Sequence, residues 1–311
     1  MDYRSTRSAY GETLVALLNE GLDIYAVDAD LSGSTTSAKL AEVDPTRHLN
    51  VGVAEQNMIG VAAGLSLAGK TVFTGSFAVF GTGRVYDQIR NTVCYSELNV
   101  KIAPTHAGIS VGPDGGSHQM VEDLALMCVL PNMRVLVPAD YHSAKAALRL
   151  AAYASGPFYI RLGRVEVPRI YQEKDRFEIG KARLLKSGRD VTIVACGIEV
   201  LRALEAAEML ATDGIEAEVI DVFSLKPLDE KLIVQSARKT GYVVTAEEHS
   251  VIGGLGSTVA MLMARNPGCL TKPLACVGVQ DRFGTSGGLD ELFKEYGLDS
   301  QAIYKSVVQY L

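Results

Sequence analysis

Glu55 lies in the run "GVAEQNMIGVAAGLSLAGKTVFTGSFAVF", residues 52–80, at the head of an apolar stretch of helical period, with Phe77 and Phe80 just past the next strand. A carboxyl group can do general acid–base work, and aromatic faces suit a flat ligand. Each has a plainer reading, since the backbone dipole favours acids in the first turn of any helix and phenylalanines mostly fill cores. A second run, "AGISVGPDGGSHQ", follows His106 and carries Asp114 and His118. Histidines near their ordinary pKa can donate or relay protons, and glycines at positive φ let a chain approach a ligand closely. For His106, capping the loop through hydrogen bonds is an equally open role.

The elements that must position these residues follow from hydrophobic period. Short β-branched runs alternate with helical segments, as parallel sheets covered by helices require. IYAVDAD (24–30), TVFTG (71–75), NVKIAPTH (99–106), RVLVP (134–138) and FYIRL (158–162) read as strands. Helices are expected over 54–69, 84–97, near 121–129 and over 143–154. The stretch from Gly163 to Asp190 carries charges, Pro168 and few periodic apolar positions, and reads as a linker. Beyond it about four further strands are expected, DVTIVAC (190–196), EAEVIDV (216–222), YVVTAEE (242–248) and PLACVGV (273–279), with helices from Glu199, near Asp229 and after Gly254. The predicted architecture is α/β, with two consecutive three-layer α/β/α domains of mostly parallel sheets, residues 1–178 and 179–311. Sites in such sheets form where loops leave the strand ends, so the acid, the aromatics and the glycine loop can converge there.

Composition narrows the function. The chain has 311 residues, 48% of them apolar, and a net charge of −6, so no clustered basic surface for nucleic acid is expected. The start, MDYRSTRSAYGETLVALL, lacks the apolar run of a secretory signal and no segment approaches a membrane span, which points to the cytoplasm. Five cysteines without C-x-x-C spacing predict neither zinc nor a disulfide framework, only buried apolar positions. "EEHSVIGGLGS" (247–257) sets acids and His249 before a glycine-rich helix start, where an anion site is conceivable and a packing or interface role is expected.

The segments "NVGVAEQNMIGVAAGLSLAGKTVFTGSFAVF", "APTHAGISVGPDGGSHQMVEDLALM" and "LPNMRVLVPAD" resemble, in order, the pyrimidine-binding domain of transketolases, and the second unit resembles the C-terminal domain of that family. The resemblance implies thiamine diphosphate as cofactor. Glu55 matches the carboxyl group that pairs with the aminopyrimidine ring and makes it a base, and apolar surroundings are expected to keep that acid protonated until it pairs. Phe77 and Phe80 match the stacking positions. Where some relatives have a third aromatic stands Gly83, followed by Arg84, which is placed with the cofactor and open to a different task. By the same resemblance Asp114, His118 and His106 face the sugar near its reacting carbons, and Arg7, Ser34 and Arg164 hold its phosphate, for which guanidinium forks are suited.

The Gly-Asp-Gly stretch and downstream Asn that hold the diphosphate and Mg2+ in this family have no counterpart here; "GPDGG" lies in the sugar loop and "TDG" at 212–214 ends a helix. The resemblance therefore implies one subunit of a split transketolase, active only with a partner chain that carries the diphosphate and metal ligands. A heterotetramer is expected. The implied reaction moves a two-carbon ketol unit from a ketose phosphate to an aldose phosphate. Alternatives are a 1-deoxyxylulose-5-phosphate synthase-like subunit, a 2-oxo acid dehydrogenase β-like subunit, or a non-catalytic scaffold.

Overall fold

The computed structural model describes residues 3–311. Its first half runs β1 (Tyr3–Ser5), α1 (Thr6–Asn19), β2 (Ile24–Asp28), α2 (Ser32–Thr35), α3 (Ala38–Val43), β3 (His48–Asn50), α4 (Glu55–Leu67), β4 (Thr71–Gly75) and β5 (Val100–Ile102). Then follow α5 (Asp123–Cys128), β6 (Arg134–Leu136), α6 (Tyr141–Tyr153), β7 (Phe158–Ile160) and β8 (Glu166–Pro168). The second half holds β9 (Arg183–Lys186), β10 (Val191–Ala195), α7 (Glu199–Thr212), β11 (Ala217–Asp221), β12 (Ser224–Lys226), α8 (Glu230–Thr240) and β13 (Val243–Ser250). It closes with α9 (Leu255–Arg265), β14 (Ala275–Val279), α10 (Leu289–Tyr296) and α11 (Ser300–Val308).

Two sheets with helices on their faces carry the fold. A seven-stranded sheet has the order β12-β6-β7-β5-β4-β2-β3, and a five-stranded sheet the order β14-β13-β10-β11-β9. Within these two sheets all pairings are parallel except β12 on β6 and β9 on β11. Central strands such as IYAVD and VTIVA are apolar on both faces because helices cover both. The helices start where their sequences say they should. Asp140 caps α6, accepting from the Ser143 N–H at 2.8 Å while the Ser143 hydroxyl accepts from the Asp140 N–H at 2.9 Å, a reciprocal pair that satisfies two otherwise orphaned donors. Asp229 caps α8 in the same position.

The core runs through both halves. One apolar cluster joins Tyr10, Phe73 and Phe158 to Phe177, Phe223 and Ile193, and a second joins Ile59, Val72 and Tyr159 to Val194, Ile220 and Leu255. Each fully buried large side chain contributes about 1.5–3 kcal/mol, so the halves support one another. Of the cysteines, all free, Cys94, Cys196 and Cys269 are buried, and Cys128 and Cys276 half-buried.

Several expectations change. The linker contains two strands: β8 pairs antiparallel with β1, and β9 edges the second sheet. Both are too short and too polar to show a period of two. β12, from the second half, crosses over to edge the first sheet. Helices α1, α10 and α11 were not read from the sequence. The helix expected over 84–97 contains a wide i→i+5 turn over Gln88–Cys94, and another wide turn, over Val79–Gly83, precedes it. Gly81 and Gly83 are poor helix formers, and the Thr82 hydroxyl donates to the Ala78 carbonyl at 2.6 Å, which together open the first wide turn.

Candidate active site

Five neighbouring parallel strands, β7-β5-β4-β2-β3, end on one edge of the first sheet, and nearly every residue singled out above follows one of them. Ser34 follows β2, Glu55 follows β3, and Phe77, Phe80 and Arg84 follow β4. His106, Asp114 and His118 follow β5, Arg164 follows β7, and Arg7 comes from the first turn of α1. Strand order thus gathers residues that are far apart in sequence.

Glu55 is the first residue of α4 and only 3% exposed. The helix dipole explains an acid there but not its burial. Its surroundings are not purely apolar, because Arg84 Nη1 donates to both carboxylate oxygens, at 3.0 Å each. The same guanidinium lies over the Phe80 ring, 4.4 Å from its centroid. Phe80 and Phe77 are nearly parallel, with centroids 6.3 Å apart. Phe77 stacks on His106 at 3.8 Å, and His118 meets Phe80 edge-on at 5.4 Å. Glu55, Arg84, both phenylalanines and both histidines therefore form one continuous cluster.

His106 sits at φ 60° and is 3% exposed, with Nδ1 2.7 Å from the Thr105 hydroxyl. Burial, reinforced by Arg7 and Arg164, pushes its pKa down to about 3, so the ring is neutral at physiological pH. This differs from the expectation of a proton relay near neutrality: His106 can hold a hydrogen bond but is a poor acid–base group. Arg7 donates to the Ser34 carbonyl at 3.2 Å, and Arg164 to the Val111 carbonyl at 2.6 Å and to Asp114 at 3.4 Å. Burial and the charge of Arg164 both lower the pKa of Arg7. Two guanidinium groups held close enough to oppose one another suit a shared anion.

Sequence reasoning missed a buried ionic network behind the glycine loop. Arg161 donates to Asp123 at 2.7 Å and to the Glu248 carbonyl at 2.9 Å, and stands 3.8 Å from the Glu248 carboxylate. Tyr159 donates to Asp123 at 2.5 Å. Burial opposes ionisation of Asp123, but the Arg161 charge outweighs it and holds the carboxyl below its usual pKa. His249 Nε2 accepts from the Leu124 N–H at 3.1 Å. The signal was present: a charge inside an apolar strand, as in FYIRL, needs a buried partner. The anion reading of 247–257 fails for a simple reason. Glu247 accepts from the Leu255 and Gly256 N–H groups, at 2.7 Å each, and so fills that helix terminus itself. Among the described residues no cluster of three or more His, Cys, Asp or Glu side chains is placed to hold a metal ion, and no helix is long and apolar enough to cross a membrane.

The first sheet, parallel but for its β12 edge, thus sets a buried acid and paired aromatic faces at its strand ends, an arrangement whose chemistry suits a flat ring. The family models "Transketolase, pyrimidine binding domain" and "Transketolase, C-terminal domain" match residues 2–169 and 180–303. The chain belongs to the transketolase family, whose members depend on thiamine diphosphate. It is 48% identical over 309 residues to a putative transketolase C-terminal section of Methanocaldococcus jannaschii, covering 99% of this chain and 96% of that protein. It is 45% identical to the 6-deoxy-6-sulfo-D-fructose transketolase subunit SqwH of Clostridium sp., covering 96% and 92%. A solved split gene transketolase, described as an inactive beta4 tetramer, superposes with a TM-score of 0.89 at 51% identity, covering 98% of this chain and 97% of that one.

Proposed function

We propose that this chain is the ring-binding subunit of a split, thiamine-diphosphate-dependent transketolase that moves a two-carbon ketol unit from a ketose phosphate to an aldose phosphate. The observation that carries the reading is Glu55, a buried carboxyl group beside the Phe77 and Phe80 faces at the strand ends. This donor set fits the cofactor's aminopyrimidine, which offers a ring nitrogen to share a proton and a flat apolar face to stack. When bound, the cofactor supplies a carbon nucleophile and an electron sink for cleavage of the carbon–carbon bond. The protein's contribution is local. Glu55 would share a proton with the pyrimidine nitrogen, Phe77 and Phe80 would hold the ring flat, and Arg84, now on Glu55, would move off to admit it. Asp114 and His118 face the sugar, and neutral His106 donates or accepts a hydrogen bond without changing charge. Arg7, Arg164 and Ser34 hold the phosphate.

Residues 1–178 form the ring-binding unit and 179–311 the second. Relatives named as a C-terminal section and a split-gene protein support a partner subunit; we assign the diphosphate and Mg2+ ligands to that partner because this chain lacks the Gly-Asp-Gly stretch, and two copies of each chain because such sites pair across a twofold axis. The test is reconstitution with that partner and a coupled assay of ketol transfer. The Glu55→Gln variant should lose at least about 100-fold in kcat, the scale of general acid–base catalysis. Unchanged turnover in that variant would indicate a scaffold, and carbon dioxide release from pyruvate a decarboxylating relative.

A further inference from the structure

The glycine loop between His106 and Met120 was expected to use its glycines to approach a ligand. At several of them the space is taken by the second unit instead. A Cβ at Gly108, where φ is +80°, would lie 2.2 Å from the Glu248 carboxyl carbon, and one at Gly116 2.4 Å from the Gly284 carbonyl oxygen. At Gly115 and Gly112, with φ of +76° and +79°, the nearest atoms belong to Ser286 and Gly287, each at 3.5 Å. The contacts are also bonded ones. The Ser110 N–H donates to Glu248 at 2.5 Å, the Ser286 hydroxyl to the Pro113 carbonyl at 2.7 Å, and the Gln119 amide to the Thr285 carbonyl at 2.9 Å. Ile109 and Val121 pack with Val279 and with Leu292 and Phe293 of α10. The loop is thus a tongue seated in a socket made by the strand end of β13, the segment 284–287 and α10.

We infer that the second unit positions the sugar-facing loop: Glu248 is a positioning residue acting through the Ser110 N–H, and the segment 284–287 fixes where Asp114 and His118 stand. Three features make this more than packing. Glu248 is 4% exposed and held from behind by Arg161, so it offers the loop an acceptor that cannot swing away. Its bond reaches a backbone N–H, which no change of side chain in the loop would remove. The residues proposed to meet the sugar sit on the same tongue, with Asp114 next to Pro113, the acceptor for Ser286, and His118 next to Gln119. Glu55 and the phenylalanines are held by α4 and the segment after β4 and meet the tongue through His106 and His118, so loosening the socket should disturb the ring end less than the sugar end. This inference rests on the reading of the loop as sugar-facing.

The experiment uses the full chain reconstituted with its partner subunit, and compares Glu248→Gln, Gly116→Ala and Ser286→Ala with the parent. Hydrogen–deuterium exchange reads the loop, titration calorimetry reads the Kd of thiamine diphosphate, and steady-state assays read KM and kcat. Gly116→Ala should speed exchange of peptides over 106–120 by about tenfold through local opening, and Glu248→Gln, whose amide oxygen still accepts from Ser110 but loses the charge that Arg161 holds, by about two- to threefold. In Gly116→Ala, KM for the ketose phosphate should rise about tenfold while the cofactor Kd stays within about twofold, because the sugar contacts stand on the tongue itself whereas the ring faces meet it through His106 and His118. Ser286 is exposed and its loss leaves the fold intact, so Ser286→Ala should give the same pattern at about two- to threefold even where Glu248→Gln fails to fold. Parental exchange over 106–120 in Gly116→Ala and Ser286→Ala, or equal rises in KM and cofactor Kd, would overturn the inference. A parent complex that shows the socket by exchange but transfers no ketol unit would instead overturn the functional reading.

Discussion

Removing the Arg84 guanidinium should tighten cofactor binding, although a cation beside a bound ligand is usually counted as a help. In the structure Arg84 touches both surfaces that a pyrimidine ring would use: its Nη1 bridges the two Glu55 oxygens at 3.0 Å each, and its guanidinium carbon lies 4.4 Å above the Phe80 centroid. On the proposed reading the ring would take the space the guanidinium now holds, and binding would break the ion pair. A hydrogen bond between charged groups contributes about 1.5–3 kcal/mol, and because the Arg84 side chain is 49% exposed, screening leaves about 1–2 kcal/mol. At about 1.4 kcal/mol per tenfold, Arg84→Met should lower the Kd of thiamine diphosphate about 5- to 30-fold. The methionine stem keeps some cover on Phe80. The assay is titration calorimetry on the reconstituted complex at two ionic strengths, because long-range attraction between Arg84 and the diphosphate acts in the opposite sense and fades with salt. A Kd raised tenfold or more at both salt concentrations would show that Arg84 holds the cofactor rather than competing with it.

Arg161→Met leaves the buried carboxylates of Asp123 and Glu248 without their cation, and should destabilise the chain by about 3–5 kcal/mol in urea unfolding. Burial pushes the Glu247 carboxyl up to about 7, so the folded chain holds a proton there that the unfolded chain gives up above about pH 4.5. The stability tied to that proton is complete below pH 4.5 and is lost as pH rises through 7. Relative to Glu247→Gln, the parent should therefore lose about 2–3 kcal/mol between pH 5 and pH 8, read by urea unfolding at each pH. Because the pKa of His106 lies near 3, His106→Gln should leave the shape of the kcat/KM profile between pH 5.5 and pH 8 unchanged while raising KM; loss of a limb of that profile would make His106 a proton donor after all.

The parts of this fold that were legible in the sequence are those where one physical rule acts alone. TVFTG is a strand to the residue, because four consecutive β-branched or aromatic residues, closed by Gly75, stand between Lys70 and Ser76. Helix α4 was legible from its period and the start of α8 from Asp229, whereas α6, expected from Ser143, begins two residues earlier at Tyr141 behind its Asp140 cap. What escaped was decided by tertiary partners. β1 and β8 are strands only because they pair with each other, and β12 leaves its own half to edge the other sheet. The site divides in the same way. Glu55, Phe77 and Phe80 were visible as types at a spacing, whereas the Arg84 contact depends on a helix widened by Gly81, Thr82 and Gly83, which a 3.6-residue period does not express.

The glycine loop shows why residue type alone misdirects at such a point. Glycine signals that something comes close to the backbone, and the sequence offers no means of telling a ligand from another part of the chain. Here the close neighbours at Gly108 and Gly116 are Glu248 and Gly284, which lie well over 100 residues away, in the second half. The same geometry explains why "EEHSVIGGLGS" looks like an anion site and is not one. Its first acid fills the helix terminus, its second receives the loop, and its histidine accepts from α5. A run of three polar residues at a strand end, each buried and each facing a different element, is what a junction between two units requires. On the proposed reading the second unit is coupled to the sugar end of the site through Glu248, and changes there should alter sugar recognition before they alter the grip on the cofactor ring.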